Sequence, residues 1–171
     1  MSSPAKQDRR TSITAISAMF AALALIFSYI EFLIPLPVPI PGIKLGLANL
    51  VILIAIVRMD FRHAFAINCA RILLSGLLFS GVFGMIYSFA GGVLSILVMY
   101  ILYRTNLFSL VGISMAGGVA HNLGQLITAC VLLRNTAILT YFPVLLFSGL
   151  ISGIAIGILA CVIEKRLPEF N

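Results

Sequence analysis

The chain has 171 residues, of which 61% are hydrophobic and 9% are charged, with a formal net charge of +6. Soluble domains carry about 25% charged residues, so this composition indicates an integral membrane protein surrounded by the lipid bilayer. The basic residues are spread one or two at a time between apolar runs, which excludes the clustered basic patch of a nucleic-acid-binding protein.

Six membrane-spanning helices of about 20 residues each fit into the chain after a polar tail, residues 1–12. The first is expected over residues 13–34 and ends at a loop of alternating prolines. The others are expected over residues 43–57, 64–79, 82–102, 107–133 and 139–163. The second and third are short and carry polar residues, so a re-entrant segment or a tilted half-helix is the alternative there. The sequence thus predicts an all-α six-helix bundle in one domain, residues 13–167, with a short C-terminal tail, residues 168–171.

The basic residues are distributed unequally between the two sides of this predicted bundle. With a cytoplasmic N-terminus, the cytoplasmic segments hold eight of them: Lys6, Arg9, Arg10, Arg58, Arg62, Arg104, Lys165 and Arg166. The outer segments hold only Lys44 and Arg134. The positive-inside rule therefore predicts a multi-pass membrane protein with cytoplasmic tails at both ends and an outer proline loop.

Polar residues inside the predicted spans are costly in lipid and usually face the bundle interior. In the third span, Asn68, Arg71 and Ser75 share one helix face through their i, i+3, i+7 spacing. The fifth span places His121, Asn122 and Gln125 at mid-depth, and the second places Asn49 at a similar depth. We expect a ligand site formed by Asn49, Asn68, Arg71, His121, Asn122 and Gln125. The alternative is a packing role, in which Arg71 pairs with Glu31 or with backbone carbonyls.

The loop after the first span is predicted to act as a lid or gate over a pocket that opens outward. Its residues are Glu31, Pro35, Pro37, Pro39, Pro41 and Lys44. The alternative is that Glu31 and Lys44 form an exposed pair at the membrane interface. Lys44 and Arg71 favour a ligand with an anionic or carbonyl group.

Three stripes of small residues indicate close helix contacts, because small side chains let helix backbones approach each other. They are Thr14, Ala18 and Ala22 in the first span, Gly84, Ser88, Gly91 and Ser95 in the fourth, and Gly149, Gly153 and Gly157 in the sixth. Packing inside the bundle explains most such stripes. Docking to another membrane protein is the alternative.

The sequence lacks the motifs of the common enzyme classes. The phosphate-binding motif GxxxxGK[ST] does not occur, and Asp8 and Asp60 are the only aspartates. The cysteines are isolated in apolar runs, and neither histidine has the partners of a nucleophilic triad. We therefore expect no catalytic residues, no metal and no cofactor.

Four segments resemble a known family: PGIKLGLAN at residues 41–49, RILLSG at 71–76, YSFAGG at 87–92 and GGVAHNLGQ at 117–125. The chain resembles the Gx transporter family, which is also labelled heptaprenyl diphosphate synthase component I. That family is similar in size and helix plan to the S components of energy-coupling factor (ECF) transporters, whose first helix contacts the transmembrane coupling subunit through AxxxA. Ala18 and Ala22 match that pattern here.

The resemblance implies a substrate-binding subunit for uptake of a small, vitamin-like or precursor-like molecule from outside, partnered by a transmembrane coupling subunit and ATP-binding subunits. The alternatives are a membrane component of heptaprenyl diphosphate synthesis and an assembly partner within a larger membrane complex. Prenyl diphosphate synthases bind their substrate through magnesium on aspartate-rich motifs, and this sequence contains none.

Overall fold

A computed structural model describes residues 4–34 and 46–167, with side-chain surroundings for residues 11–34 and 46–167. The regular elements in these ranges are all helical. They are α1 (Pro4–Leu33), α2 (Leu47–Arg58), α3 (Phe61–Ser75), a π-helical turn (Gly76–Ser80), α4 (Gly81–Thr105), α5 (Leu110–Leu133), a 3-10 helix (Thr136–Tyr141) and α6 (Phe142–Glu164). The predicted lid residues from Pro35 to Lys44 and the C-terminal tail lie outside the described residues, and α1 already includes the end of the predicted polar tail.

Within the described chain, four helical segments are long and apolar enough to cross a membrane. These are Thr11–Leu33, Phe61–Thr105, Leu110–Leu133 and Thr136–Glu164. The 12 residues of α2 extend only about 18 Å at 1.5 Å per residue, against a hydrocarbon core of about 30 Å. The chain is thus an all-helical protein with the helices of an integral membrane protein, and α2 has the length of a half-helix. Six full spans and the cytoplasmic position of the termini stay predictions.

The segment Phe61–Thr105 is 45 residues long, and it folds back on itself at Gly81. Gly76 lies against Met85, and Gly92 lies against Asn68 and Ile72, so α3 and α4 run antiparallel. Gly81 makes the reversal with φ +69° and ψ 177°. This combination is essentially restricted to glycine, because a Cβ atom would clash with the adjoining backbone.

Gly81→Ala is therefore expected to destabilise the protein by about 1–3 kcal/mol through backbone strain. Space is not the reason, because no atom beyond its neighbours lies within 4 Å of the added Cβ position. Gly112→Ala is the control: its Cβ would lie 3.6–3.9 Å from Ser109 and Phe108, at ordinary van der Waals distance. Thermal unfolding in detergent should show a lower melting temperature for Gly81→Ala only. Equal melting temperatures for the two variants would contradict the proposed backbone strain at Gly81.

Helix α2 forms the centre of the bundle and contacts α1, α3, α4, α5 and α6. Residues 50–56 are all buried, as expected for a helix that is hydrophobic on every side. At its C-terminus, Arg58 pairs with Glu164 at 3.0 Å and donates to the carbonyl oxygens of Glu164 and Leu167. Tyr103 of α4 donates to the carbonyl of Val57 at the same end. We call this end, where α2, α4 and α6 terminate, the basic end.

The glycine stripe of α6 packs directly on the backbone of α5. If a Cβ atom were added to Gly153, it would lie only 2.5 Å from Met115 Cα, and one added to Gly157 would lie 2.6 Å from Val111 Cα. Neither position has room for a larger residue unless the helices move apart. Gly149 and Gly118 face each other in the same way. This stripe therefore serves packing inside the bundle, as predicted for most of the small-residue stripes.

Candidate functional site

Two predicted site residues, Arg71 and His121, lie at one depth in the bundle, which is also the depth of Leu47 at the start of α2. Arg71 is ten residues from the start of α3, and Leu47 and His121 are each eleven residues from the basic-end terminus of their helices. At 1.5 Å per residue these positions are about 15–17 Å from that end, which is roughly half the thickness of a bilayer core. We call the buried polar groups near this depth the polar layer: Ser28, Glu31, Asn68, Arg71, His121 and Gln125, with the Leu47 N–H that is bonded to Glu31.

Arg71 is the charged side chain of α3 in this layer and is only 2% exposed. Its Nη2 donates to Asn68 Oδ1 at 2.7 Å, and its Nη1 lies 3.5 Å from Ser28 Oγ. Because arginine can only donate, Asn68 must turn its oxygen toward Arg71. Within the described residues, Arg71 Nε and Asn68 Nδ2 then have no hydrogen-bond acceptor.

Ser28 was not among the predicted site residues. It lies one helical turn before Glu31 on α1, and both are buried, at 2% and 8% exposed. The signal available in the sequence was this i, i+3 spacing of two polar residues in an apolar helix.

Glu31 caps the start of α2. Its Oε1 accepts a hydrogen bond from the backbone N–H of Leu47 at 2.6 Å, which satisfies one of the free donors of a helix N-terminus and places a negative charge at the positive end of the helix dipole. Glu31 also acts electrostatically on Arg71. However, the ion pairs within 4 Å among the described residues are Arg58–Glu164 and His63–Asp60. The direct Arg71–Glu31 pair of the packing alternative is therefore not formed.

Two consecutive glycines of α4 allow polar residues of α3 and of α5 to pack closely against the α4 backbone. A Cβ at Gly92 would lie 3.0 Å from Asn68 Nδ2, whereas one at Gly91 would lie 2.7 Å from the His121 carbonyl oxygen and 2.9 Å from Gln125 Cγ. His121 and Gln125 are 6% and 5% exposed. Asn68 of α3 and the pair His121 and Gln125 of α5 thus pack against neighbouring residues of α4. Gly92 was not among the predicted residues.

Two other predicted residues face the α5–α6 side of the bundle. Asn122 is buried and donates from Nδ2 to the Leu145 carbonyl oxygen at 2.8 Å, which ties α5 to α6. Asn49 is half-buried in the first turn of α2 and lines a cavity of about 10 Å³ with Ser114, Gly118 and Ser152. A cavity of this size is close to the volume that one water molecule requires. The hydrogen bonds of Arg71 in the described chain go to Asn68 and Ser28, and not to these two asparagines.

The small-residue stripe of α1 differs from the other two because all three of its members are exposed. Thr14, Ala18 and Ala22 are exposed, whereas Ser88, Gly91 and Ser95 of α4 and the glycines of α6 are buried. Beside the stripe, α1 and α3 enclose a groove of about 320 Å³, which we call the α1–α3 groove. Its lining is mostly small or apolar: Thr14, Ser17, Ala18, Ala21, His63, Ala66, Ile67 and Ala70.

These features define a class of protein, a helical membrane protein with a buried polar layer at mid-depth and one uncovered small-residue face. The profile of the heptaprenyl diphosphate synthase component I family matches residues 20–163, and the chain belongs to this family. Neither the curated proteins nor the solved structures contain a match to the chain.

Proposed function

We propose that the protein is the substrate-binding membrane subunit of an ECF-type uptake system in the bacterial plasma membrane. In this role it takes a small, vitamin-like or precursor-like molecule from the outer side, with both termini in the cytoplasm. The ligand binds in the polar layer at Asn68, Arg71, His121 and Gln125. Partner subunits supply membrane coupling and ATP hydrolysis.

The observation that carries this proposal is that the buried guanidinium of Arg71 has no carboxylate partner within 4 Å in the described chain. A charge at the centre of a bilayer is costly and normally has a partner, yet no carboxylate of the described chain lies within 4 Å of this guanidinium. Two donors of the Arg71–Asn68 pair also lack acceptors within that part of the chain. An arginine kept only for packing would be expected to have its donors satisfied, so a bound ligand accounts for this arrangement better.

The uncovered stripe on α1 supports the partner part of the proposal. Lipid tails are as apolar as leucine, so a membrane-facing helix gains little from small side chains unless another helix approaches them. By contrast, the α6 stripe and three of the four members of the α4 stripe are buried inside the described chain. The α1–α3 groove beside Ala18 therefore suits a helix of a transmembrane coupling subunit.

Ala18→Trp combined with Ala22→Trp is expected to abolish co-purification with a transmembrane coupling subunit, because bulky rings prevent close helix approach. Ligand binding should be unchanged, since neither residue belongs to the polar layer. Met19→Trp with Leu23→Trp is the matched control, because these positions are also exposed, at 61% and 42%, one residue along the same helix. Complex formation that survives in the first double variant would remove this surface from the proposal.

The family description favours a second candidate, a membrane component of heptaprenyl diphosphate synthesis. In that role the chain would require another subunit for magnesium and diphosphate chemistry, because its described carboxylates serve helix ends. Glu31 caps α2 and Glu164 pairs with Arg58 at the end of α6. Asp60 caps α3 through the backbone N–H of His63, and this hydrogen bond lowers the pKa of the carboxyl.

An assembly partner within a larger membrane complex is the third candidate. This role would require only the exposed surface of α1.

A thermal-shift screen of the purified protein separates these candidates, since a ligand that binds only the folded state raises stability by mass action. The panel contains vitamins, quinone precursors and prenyl diphosphates. Stabilisation by a vitamin-like compound would support the uptake subunit, and stabilisation by prenyl diphosphates alone would support the synthesis component. No stabilisation by any of them would contradict a binding role for these classes.

A further inference from the structure

The unpaired groups of the polar layer identify the chemical class of ligand, provided that the proposed binding function holds. Arg71 is the cationic side chain of this layer in the described chain, and it is fully buried. Its contacts are to two neutral oxygens, Asn68 Oδ1 and Ser28 Oγ. The guanidinium charge is therefore solvated by dipoles and is not neutralised by contact with an anion.

Glu31, the carboxylate that acts on Arg71, is already engaged by another positive group. Its Oε1 lies 2.6 Å from the Leu47 N–H, at the N-terminus of α2, where the helix dipole is equivalent to about half a positive charge. The layer therefore combines a whole guanidinium charge and a helix N-terminus with one carboxylate. This balance leaves an excess of about half a positive charge, which favours a ligand that carries a single negative charge over one that carries several.

Next to the Arg71 guanidinium, the groups that lack a hydrogen-bond partner in the described chain are donors. Arg71 Nε and Asn68 Nδ2 both lack an acceptor in the described structure, and their side chains are joined by a 2.7 Å hydrogen bond, so the two lie close together. A carboxylate has two oxygens that only accept, which matches two adjacent donors in number and in polarity. A diphosphate carries several charges and would exceed the single guanidinium.

We infer that the site selects an organic acid with a single carboxylate, which is held by Arg71 and the amide of Asn68. A neutral amide or alcohol of the same shape would leave the guanidinium without a counter-charge. Removing one partner of a buried, hydrogen-bonded charge pair costs about 2–5 kcal/mol, and 1.4 kcal/mol corresponds to tenfold in affinity. The acid should therefore bind at least about tenfold more tightly than its neutral counterpart.

The test measures binding of matched acid and neutral pairs to the purified full-length protein by calorimetry and thermal shift. The probes are nicotinate with nicotinamide, biotin with biotinamide, pantothenate with pantothenol, and geranylgeranyl diphosphate with geranylgeraniol. The expected result is that a carboxylate member binds and its neutral counterpart is at least about tenfold weaker. Equal or tighter binding of a neutral member, or preference for the diphosphate, would overturn the inference and leave the proposed binding function standing.

Two variants test whether the preference for the acid over its neutral counterpart depends on Arg71. Arg71→Met should reduce the acid-to-neutral ratio to near one, whereas Arg62→Met, which removes an exposed charge near the basic end, should leave it unchanged. If Arg71→Met does not fold, the comparison of acid and neutral members on the wild-type protein decides the question alone. Absence of binding by every member of the panel would overturn the proposed function as well as this inference.

Discussion

Arg71→Met is expected to weaken ligand binding by about 2–5 kcal/mol while the melting temperature stays at or above that of the wild type. Methionine keeps most of the side-chain volume and removes the desolvation cost of a buried charge. The guanidinium contacts only neutral oxygens within hydrogen-bond distance, so no directly paired anion is left behind. Calorimetry and thermal unfolding on the same preparation measure both quantities.

The control for this prediction is Glu31→Gln, which removes the charge of Glu31 but keeps an oxygen that can accept from the Leu47 N–H. If Arg71 serves the ligand, Glu31→Gln should retain binding. If Arg71 only balances Glu31, both variants should lower the melting temperature and leave affinity intact, which would sink the site. Arg71→Lys should restore binding only in part, because an ammonium group does not reproduce the planar fork of a guanidinium.

Gly153→Leu is expected to prevent formation of the folded bundle, with a loss of at least about 3 kcal/mol, at the upper end of overpacking costs. The added Cβ alone would lie 2.5 Å from Met115 Cα and 2.9 Å from the Ser114 carbonyl oxygen. These are backbone atoms of α5, so the whole helix would have to move. The α5–α6 contact also positions Asn122, whose amide bonds to α6.

Ala155→Leu is the matched control for Gly153→Leu, because Ala155 is exposed on the same helix two residues away. Its leucine side chain would point toward lipid and should leave the yield of monodisperse protein and the melting temperature near the wild type. Comparable yields for the two leucine variants would show that α6 does not depend on close approach at Gly153.

The fold class could be predicted from composition and periodicity because a membrane imposes simple requirements. Apolar runs in lipid must satisfy their backbone hydrogen bonds internally and therefore form helices. The i, i+3, i+7 spacing placed Asn68, Arg71 and Ser75 on one face, and all three are buried. The burial of polar residues of α3 and α5 inside the bundle could likewise be predicted, because exposing them to lipid is costly.

Helix length and partner choice were less predictable from the sequence. The hydrophobicity of residues 43–57 indicates a membrane segment, but α2 begins at Leu47, where Glu31 from α1 supplies the cap. Opposite charge made a pair of Glu31 with Arg71 one of the alternatives, whereas in the fold Glu31 contacts a backbone N–H and Arg71 contacts Asn68 and Ser28. Such pairings depend on how α1, α2 and α3 are arranged in space, which no local pattern encodes.

The sequence by itself determined that this is a helical membrane protein with polar groups inside its bundle, because both properties follow from local composition and the helical repeat. Only the tertiary structure decided which helix covers each face. It buried Gly91 of α4 and the glycine stripe of α6 against α5, left Ala18 and Ala22 of α1 uncovered, and turned Asn122 toward Leu145. The physical reason is that a helix face of small or polar residues is compatible with many neighbours, and the neighbour is chosen by contacts between segments distant in the chain.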